Sequence, residues 1–348
     1  MDYAVVNKKY YCGVDLGART MYVCILSKAG TVKIHHEIPT DFPRFLKEIE
    51  PYKKNIAVCA ESTFNWYWLA DGCKKHSIPF YLGHALYIKA IATNKKKTDQ
   101  VDSKTLAELL RTNFFPLAYA YPQKMRETRD LLRRRHRFVA IRASLARHIK
   151  IMLHQQGIYD FPEGIVKSKN HRETLLKYPV PESVAISIQH DLSLIDHIDA
   201  LMPPLEWKIL KMARHHDNHS LAILRCLLGI GDILSLTILY EMHSVERFKS
   251  VQNFSSYCRV VRVERSSSGK KTARKNHKIG NPYLRWAFAQ LAISVQRFYP
   301  EIKTYTEKLL KKYCKQRAFT LLAHKFAVTV YYMLKNKTAF DVAKFVGA

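Results

Sequence analysis

Four acidic residues stand where a chain seldom places a carboxylate by accident. Asp15 closes the apolar run Tyr11-Cys12-Gly13-Val14-Asp15-Leu16-Gly17, and Glu61 holds the equivalent place after Ile56-Ala57-Val58-Cys59-Ala60. If the two runs are neighbouring strands, both acids emerge at one edge of one sheet and can share a cation. Asp99 and Asp102, in Thr98-Asp99-Gln100-Val101-Asp102-Ser103, are three apart at a helix start, which turns both side chains to one side. Taken alone, that pair reads as acids favoured by the helix dipole and by capping. Together the four offer hard oxygen ligands for two Mg²⁺ ions, which take carboxylates, water and phosphate oxygens. Two such ions about 4 Å apart can activate an attacking oxygen and stabilise a leaving one at a phosphodiester.

A second kind of chemistry lies in Arg262-Val263-Glu264-Arg265-Ser266-Ser267-Ser268-Gly269-Lys270-Lys271. Viewed by itself the serine run is a solvated loop. Its setting says more: Arg259, Arg262, Arg265, Lys270, Lys271, Arg274, Lys275 and Lys278 can hold a phosphate, and Gly269 lets backbone approach it. A serine hydroxyl placed there can attack phosphorus, splitting strand transfer into two steps through a phosphoserine. His277 is either a base for it or another phosphate contact. Upstream, Gly229-Ile230-Gly231 is either a helix-hairpin-helix turn aiming N–H groups at a phosphate or a plain tight turn. Leu284, Phe288, Leu291, Val295 and Phe298 form an apolar helical stripe assigned to packing, and Tyr283 and Trp286 serve either bases or the core.

The elements that must position these residues read as follows. Tyr10 to Leu16, Thr20 to Ser27 and Thr31 to Glu37 form an antiparallel meander. A helix over Phe42 to Ile49, a strand over Ile56 to Ala60, a helix over Asn65 to Lys75, a strand over Pro79 to Leu82 and a helix over Ser103 to Thr112 complete a βββαβαβα order. Lys124 to Gln156 lacks Gly and Pro and reads as one long helix. Its pairs Leu131/Leu132, Phe138/Val139, Leu145/Ala146 and Met152/Leu153 recur every seven, as a helix-pairing seam or as packing on its own domain. The other face carries Arg126, Arg129, Arg133, Arg134, Arg135, Arg137, Arg142 and Arg147, and a nucleic-acid contact is assigned to Arg133, Arg134, Arg135 and Arg137. Residues 158 to 220 are mainly helical, and 221 to 348 are helices around one basic loop, Arg259 to Lys278. Three regions result: 8–115, 123–215 and 220–340.

Composition narrows the partners. With 57 Lys and Arg against 29 Asp and Glu, the formal charge of the 348 residues is +28, a surplus that a nucleic acid would neutralise. No apolar run approaches the length of a membrane span, and Met1 to Tyr10 lacks the apolar core of a signal peptide. The 7 cysteines are scattered, without CxxC spacing, and read as reduced core residues of an intracellular protein.

With the elements in place, the acids resemble the Asp-Glu-Asp-Asp tetrad of the RuvC-like branch of the RNase H fold. More narrowly, Thr98-Asp99-Gln100-Val101-Asp102-Ser103-Lys104-Thr105-Leu106-Ala107 is similar to the DEDD transposases of the insertion sequence 110 family and the related Piv-type invertases. Ser267-Ser268-Gly269 followed by Lys278-Ile279-Gly280-Asn281-Pro282-Tyr283-Leu284-Arg285 is similar to their C-terminal domain, so the likeness runs from Tyr11 to about Ala292. It implies an α/β RNase H-like (RuvC-like) N-terminal domain, a long basic helix and a mainly α-helical C-terminal domain. The implied activity is a transposase or site-specific recombinase, with Mg²⁺ on Asp15, Glu61, Asp99 and Asp102 and Ser268 as nucleophile, Ser267 in reserve. It further implies donor and target DNA, a structured bridge RNA as guide, and a homo-oligomer in which the tetrad of one subunit meets the serine of another, acting in the cytoplasm on the nucleoid. Rival readings are a RuvC-like junction nuclease, a non-catalytic nucleic-acid-binding protein, and an ATPase suggested by Gly13-Val14-Asp15-Leu16-Gly17 but disfavoured by only 12 glycines.

Overall fold

The computed structural model describes residues 2–92, 98–162, 164–166, 172, 174–175, 177–214, 217–261, 263–267, 270–274 and 279–347, with backbone alone for 263–267 and 270–274. The chain divides into two compact units, Met1–Gln123 and Lys124–Ala348. Among the described residues no helix is long and apolar enough to cross a membrane.

The first unit is an α/β layer structure. Strands β1 (Tyr10–Leu16), β2 (Thr20–Ser27), β3 (Val32–Pro39), β4 (Ile56–Glu61) and β5 (Phe80–Gly83) form one sheet in the order β3-β2-β1-β4-β5. The first three are an antiparallel meander, and β4 and β5 run parallel to β1. Helices α1 (Phe42–Ile49) and α2 (Tyr67–Lys75) cover one face. Asp41 caps α1 by accepting from Arg44 N at 3.0 Å, and Phe45 and Ile49 are buried beneath it.

Alternation along the strands divides the core in two. Cys12, Val14, Leu16, Val58 and Ala60 pack with Phe45, Ile49, Leu69 and Cys73 on the α1–α2 face. Tyr11, Ala57 and Cys59 point the other way and pack with Leu106 and Leu110 of helix α4 (Asp99–Arg111) and with Ile88 of helix α3 (Ala85–Ile91). The sequence pattern missed α3 and began the next helix at Ser103. The difference arises from Thr98, whose side chain accepts from Val101 N at 3.3 Å and starts α4 four residues earlier.

The second unit is helical. Helix α5 (Gln123–Gln155) is the single long helix expected from the sequence, and α6 (Glu182–Ala213) runs antiparallel to it. The direction is set by rungs of charge: Arg135 donates to Glu206, Arg142 to Asp199, and His148 Nδ1 lies 2.6 Å from Asp191. The α5 apolar stripe therefore serves packing within its own unit, with Ile149, Met152 and Leu153 buried against Ile188, Leu192 and Ile195.

Helices α7 (Asn218–Arg225), α8 (Asp232–Met242), α9 (Val251–Tyr257), α10 (Pro282–Ser294), α11 (Pro300–Lys312), α12 (Lys315–Asn336) and α13 (Val342–Gly347) follow. Their shared core holds Leu284, Phe288, Leu291 and Val295 fully buried. Phe298, placed on the same stripe by its spacing, is 53% exposed. Its place after the helix ends explains the departure, since residues 295–297 form a tighter 3₁₀ turn.

The serine run departs furthest from expectation. Where the sequence suggested a loop, β6 (Val263–Ser267) and β7 (Lys270–Arg274) pair antiparallel as a hairpin, with Ser267 opposite Lys270.

One contact positions α4. A Cβ built on Gly13 would lie 2.1 Å from Ser103 O and 2.5 Å from Ala107 N, so only glycine admits the helix this close to β1. Gly13→Ala is expected to destabilise the protein by about 3 kcal/mol through overpacking. Urea denaturation followed at the first unit's aromatic residues measures it, and an unchanged midpoint would show that α4 yields freely.

Candidate active site and nucleic-acid interface

The parallel register sets Val14 opposite Ala60, so Asp15 and Glu61, the next residue of each strand, end adjacent strands side by side. Both are half-buried. Alternation puts both on the face that carries Tyr11 and Cys59, which is the face α4 covers. Helix α4 runs antiparallel to β1: its last turn reaches the β2–β3 hairpin, where Arg111 Nη1 donates to Lys28 O at 3.3 Å. Its first turn, with Asp99 exposed and Asp102 half-buried, thus lies toward the end of β1 that bears Asp15. Capping is done by Thr98, which relieves the two acids of that role.

Asp15 and Glu61 thus end adjacent strands on the face that α4 covers, and Asp99 and Asp102 lie in the first turn of that helix. Asp15 and Glu61 are brought together directly, and Asp99 and Asp102 come in from the overlying helix. Among the described residues no group of three or more His, Cys, Asp or Glu is gathered closely enough to hold a metal. As donors, the four supply the oxygen ligands and negative charge that Mg²⁺ takes.

Cysteine does not compete for such a role in the first unit. Burial raises the thiols of Cys12 and Cys59 well above their usual range, and lifts Cys24 to about 11 and Cys73 to about 12. All four are buried and free, as the sequence suggested, whereas Cys226 and Cys314 of the second unit are exposed.

In the second unit the site is built around one buried acid. Glu241, near the end of α8, is 2% exposed. Arg133 of α5 meets it with two parallel bonds, Nε to Oε1 at 2.6 Å and Nη2 to Oε2 at 2.8 Å. Asn281, itself buried, adds Nδ2 to Oε2 at 2.7 Å. The same Asn281 caps α10, its Oδ1 accepting from Tyr283 N and Leu284 N, and its backbone N–H donates to Tyr257 O at 2.6 Å.

That last bond fastens the two feet of the hairpin, and Arg259 Nε donates across them to Ile279 O at 2.8 Å. Gly280, at φ +91, lies so near that a Cβ there would stand 2.6 Å from Tyr257 O. Residues 257–261 and 279–281 are therefore clamped to α5 and α8 beneath β6 and β7.

The expected nucleic-acid contacts are distributed unevenly. Arg133 is held by Glu241 and Arg135 by Glu206, so both guanidiniums are occupied within the protein. Arg134 and Arg137 are exposed on α5, and Arg134 lies over the Phe138 ring. The backbone of Arg265 belongs to β6 and that of Lys270, Lys271 and Arg274 to β7. Ser268, Arg262, Lys275, His277 and Lys278 lie outside the described residues. The Gly229–Gly231 turn links α7 to α8; Gly229, at φ +92, is pressed against Val295, while Gly231 precedes α8 with open space where a Cβ would go.

Two family models match the chain. One, described as Transposase, for the DEDD type found in IS110 elements, matches residues 12–157, and one described as Transposase IS116/IS110/IS902 family matches residues 221–307. The first takes in both strand-end acids, α4 and Arg133, and the second takes in the hairpin with Glu241 and Asn281. Proteins of this class cleave and rejoin DNA. The chain belongs to the IS110 family of transposases. No curated protein matches it.

Glu241 was not singled out by its sequence, although a lone acid in Ile233-Leu234-Ser235-Leu236-Thr237-Ile238-Leu239-Tyr240-Glu241-Met242 is the signal that could have found it. Arg133→Ala is expected to destabilise the second unit by about 3 kcal/mol, because it leaves a buried carboxylate with Asn281 alone. Arg133→Ala combined with Glu241→Gln should lose far less than the two single changes together, which a double-mutant cycle by chemical denaturation will show. Additive losses would mean the pair does not act as a unit.

Proposed function

We propose that this transposase cuts and rejoins DNA with two half-sites, a metal-binding tetrad of Asp15, Glu61, Asp99 and Asp102 and a nucleophilic Ser268. The observation that carries the first half is the convergence of two strand ends and one helix start on a single face of the sheet. The strand order and the meander followed by parallel strands support an RNase H-like, RuvC-like domain over 8–115. A basic helical region over 123–215 and a transposase region over 220–340 carrying the serine complete the division.

Mg²⁺ bound by the four carboxylates would supply Lewis-acid stabilisation of charge at the phosphodiester. The chain's own residues do the rest. Asp15 and Glu61 are fixed by the sheet and need little reorganisation, while Asp99 and Asp102 are carried by the first turn of α4, which Gly13 admits to the sheet. Ser268 follows β6 in sequence, and the backbone of Arg265 lies in β6 and that of Lys270, Lys271 and Arg274 in β7, with Arg262, Lys275 and Lys278 as further cations assigned from the sequence. The Ser268 Oγ attacks phosphorus, the leaving 3′ or 5′ oxygen departs with a proton, and attack of another strand end on the phosphoserine restores the hydroxyl.

The charge of +28 supports binding of donor and target DNA and of a structured guide RNA, the bridge RNA of the family. A homo-oligomer that places the tetrad of one subunit against the serine of another, working in the cytoplasm on the nucleoid, fits a chain whose two half-sites lie in separate compact units.

The reading is tested with purified protein, Mg²⁺ and a DNA substrate carrying the element's ends. Asp15→Ala and Glu61→Ala should each lower cleavage by about 10²–10³-fold, and Ser268→Ala should abolish the covalent protein–DNA adduct. Retained cleavage by Ser268→Ala would identify a metal nuclease of the junction-resolving kind instead. Unchanged activity in both acid variants would remove the tetrad from the mechanism.

A further inference from the structure

Beside the Glu241 clamp, α5 and the start of α10 border an open cleft of about 520 Å³ whose lining includes Asp130, Arg133, Arg134, His136, Arg137 and Tyr283. Its cations divide by role. Arg133 is committed to Glu241 and, at the same time, lies over the Tyr283 ring with its guanidinium carbon 4.7 Å from the centroid. Among the described residues neither Arg134 nor Arg137 has a carboxylate partner, and Asp130 is near Arg129, 3.7 Å away. Arg134 and Arg137 are three apart on one helix, so both reach the same side of the cleft.

The uncharged part of the cleft is aromatic. His136 stands edge-on to Tyr283 and Trp286, with centroids 5.1 and 4.8 Å away. Burial and the neighbouring Arg135 lower its pKa from 6.5, so the ring is neutral near pH 7, and its Nδ1 has no hydrogen-bond partner among the described residues. Tyr283 is held in place from behind: its own N–H is capped by Asn281, which is bonded to the foot of the serine hairpin.

Two exposed guanidiniums with no carboxylate partner among the described residues suit an oxyanion, and phosphate matches their planar donor geometry. An aromatic ring backed by a stacked guanidinium gives a flat, sequence-tolerant platform of the kind on which unpaired bases rest. The volume is of the size that a single nucleotide fills, and a stacking platform takes a base only when that base is unpaired. Asn281 joins the platform to the feet of the hairpin.

We propose that this cleft takes one unpaired nucleotide of the DNA strand being cut, with its phosphate on Arg134 and Arg137 and its base against the Tyr283–Arg133 platform. The proposal rests on the serine-transposase reading for the identity of the strand. It assigns Tyr283 and His136 to substrate positioning, and it gives Arg133 a structural part where the sequence suggested a phosphate contact.

The test uses the full chain carrying Ser268→Ala, so that bound DNA stays intact. Fluorescence anisotropy measures binding of one labelled sequence of about 15 nucleotides as single-stranded DNA, as duplex DNA and as RNA. Arg134→Ala with Arg137→Ala should weaken the single strand by about tenfold or more and flatten its log-affinity against log-salt slope by about 1.4, with little effect on the duplex. Both side chains are exposed, so the melting temperature should not move. Tyr283→Leu should weaken the single strand by about tenfold while Tyr283→Phe keeps its affinity.

Unchanged single-strand binding in the double variant would overturn the proposal. So would equal losses for single strand and duplex, which would mark a general cationic surface, or a loss confined to RNA, which would assign the cleft to a guide. Cleavage by the Ser268→Ala background reports separately on the serine itself.

Discussion

The approach of α4 to β1 at Gly13 is the constraint on which the proposed metal site of the first unit depends. A sheet can bring two strand-end carboxylates together by register alone, as it does for Asp15 and Glu61. It cannot supply a third or fourth ligand from the same edge, because the next strand, β5, ends in Gly83. Those ligands must come from an overlying element, and a helix can bring its first turn near the strand ends only if nothing stands between its backbone and the sheet. Ser103 O sits where a Gly13 Cβ would be, and Leu106, Ala107 and Leu110 bury themselves around that point. Packing energy thus holds α4 against β1, a task that the mutually repelling carboxylates of the proposed tetrad could not perform for themselves.

The second unit solves the converse problem. There a single carboxylate is taken out of water, at a cost that only good geometry offsets, and Arg133 with Asn281 supplies three charge-assisted or neutral bonds. The return is positional. Three distant parts of the chain, α5, α8 and the hairpin foot, are fixed to one another by side chains that have few alternatives. Because Asn281 also caps α10, the start of that helix cannot shift without disturbing the buried pair. The ends of the basic hairpin are thereby held on a rigid base.

Much of this was legible in the sequence where local pattern and burial coincide. The runs before Asp15 and Glu61 are apolar on both faces, so their strand character could be read directly and their shared edge followed once the two were neighbours, and the stretch after Lys124, without Gly or Pro, read as one helix. Legibility failed where partners are remote or where local preference is weak. Helix α3 is short and follows an apolar strand without a capping side chain. The hairpin is written mostly in Ser, Arg and Lys, without the apolar alternation that betrays strands. Arg133 and Arg134 are indistinguishable as letters, yet one faces an acid 108 positions away and the other faces a cleft. A charge count sees both as phosphate contacts, and only the fold separates them.

The central claim is that the two strand ends and the first turn of α4 form one metal site. The most direct measurement is a crystal structure of the transposase with DNA and Mn²⁺, located by its anomalous scattering. Peaks bound by Asp15 and Glu61 together with Asp99 or Asp102 are the predicted result. Mn²⁺ bound by other residues, or bound to DNA phosphates with all four carboxylates turned away, would contradict the account.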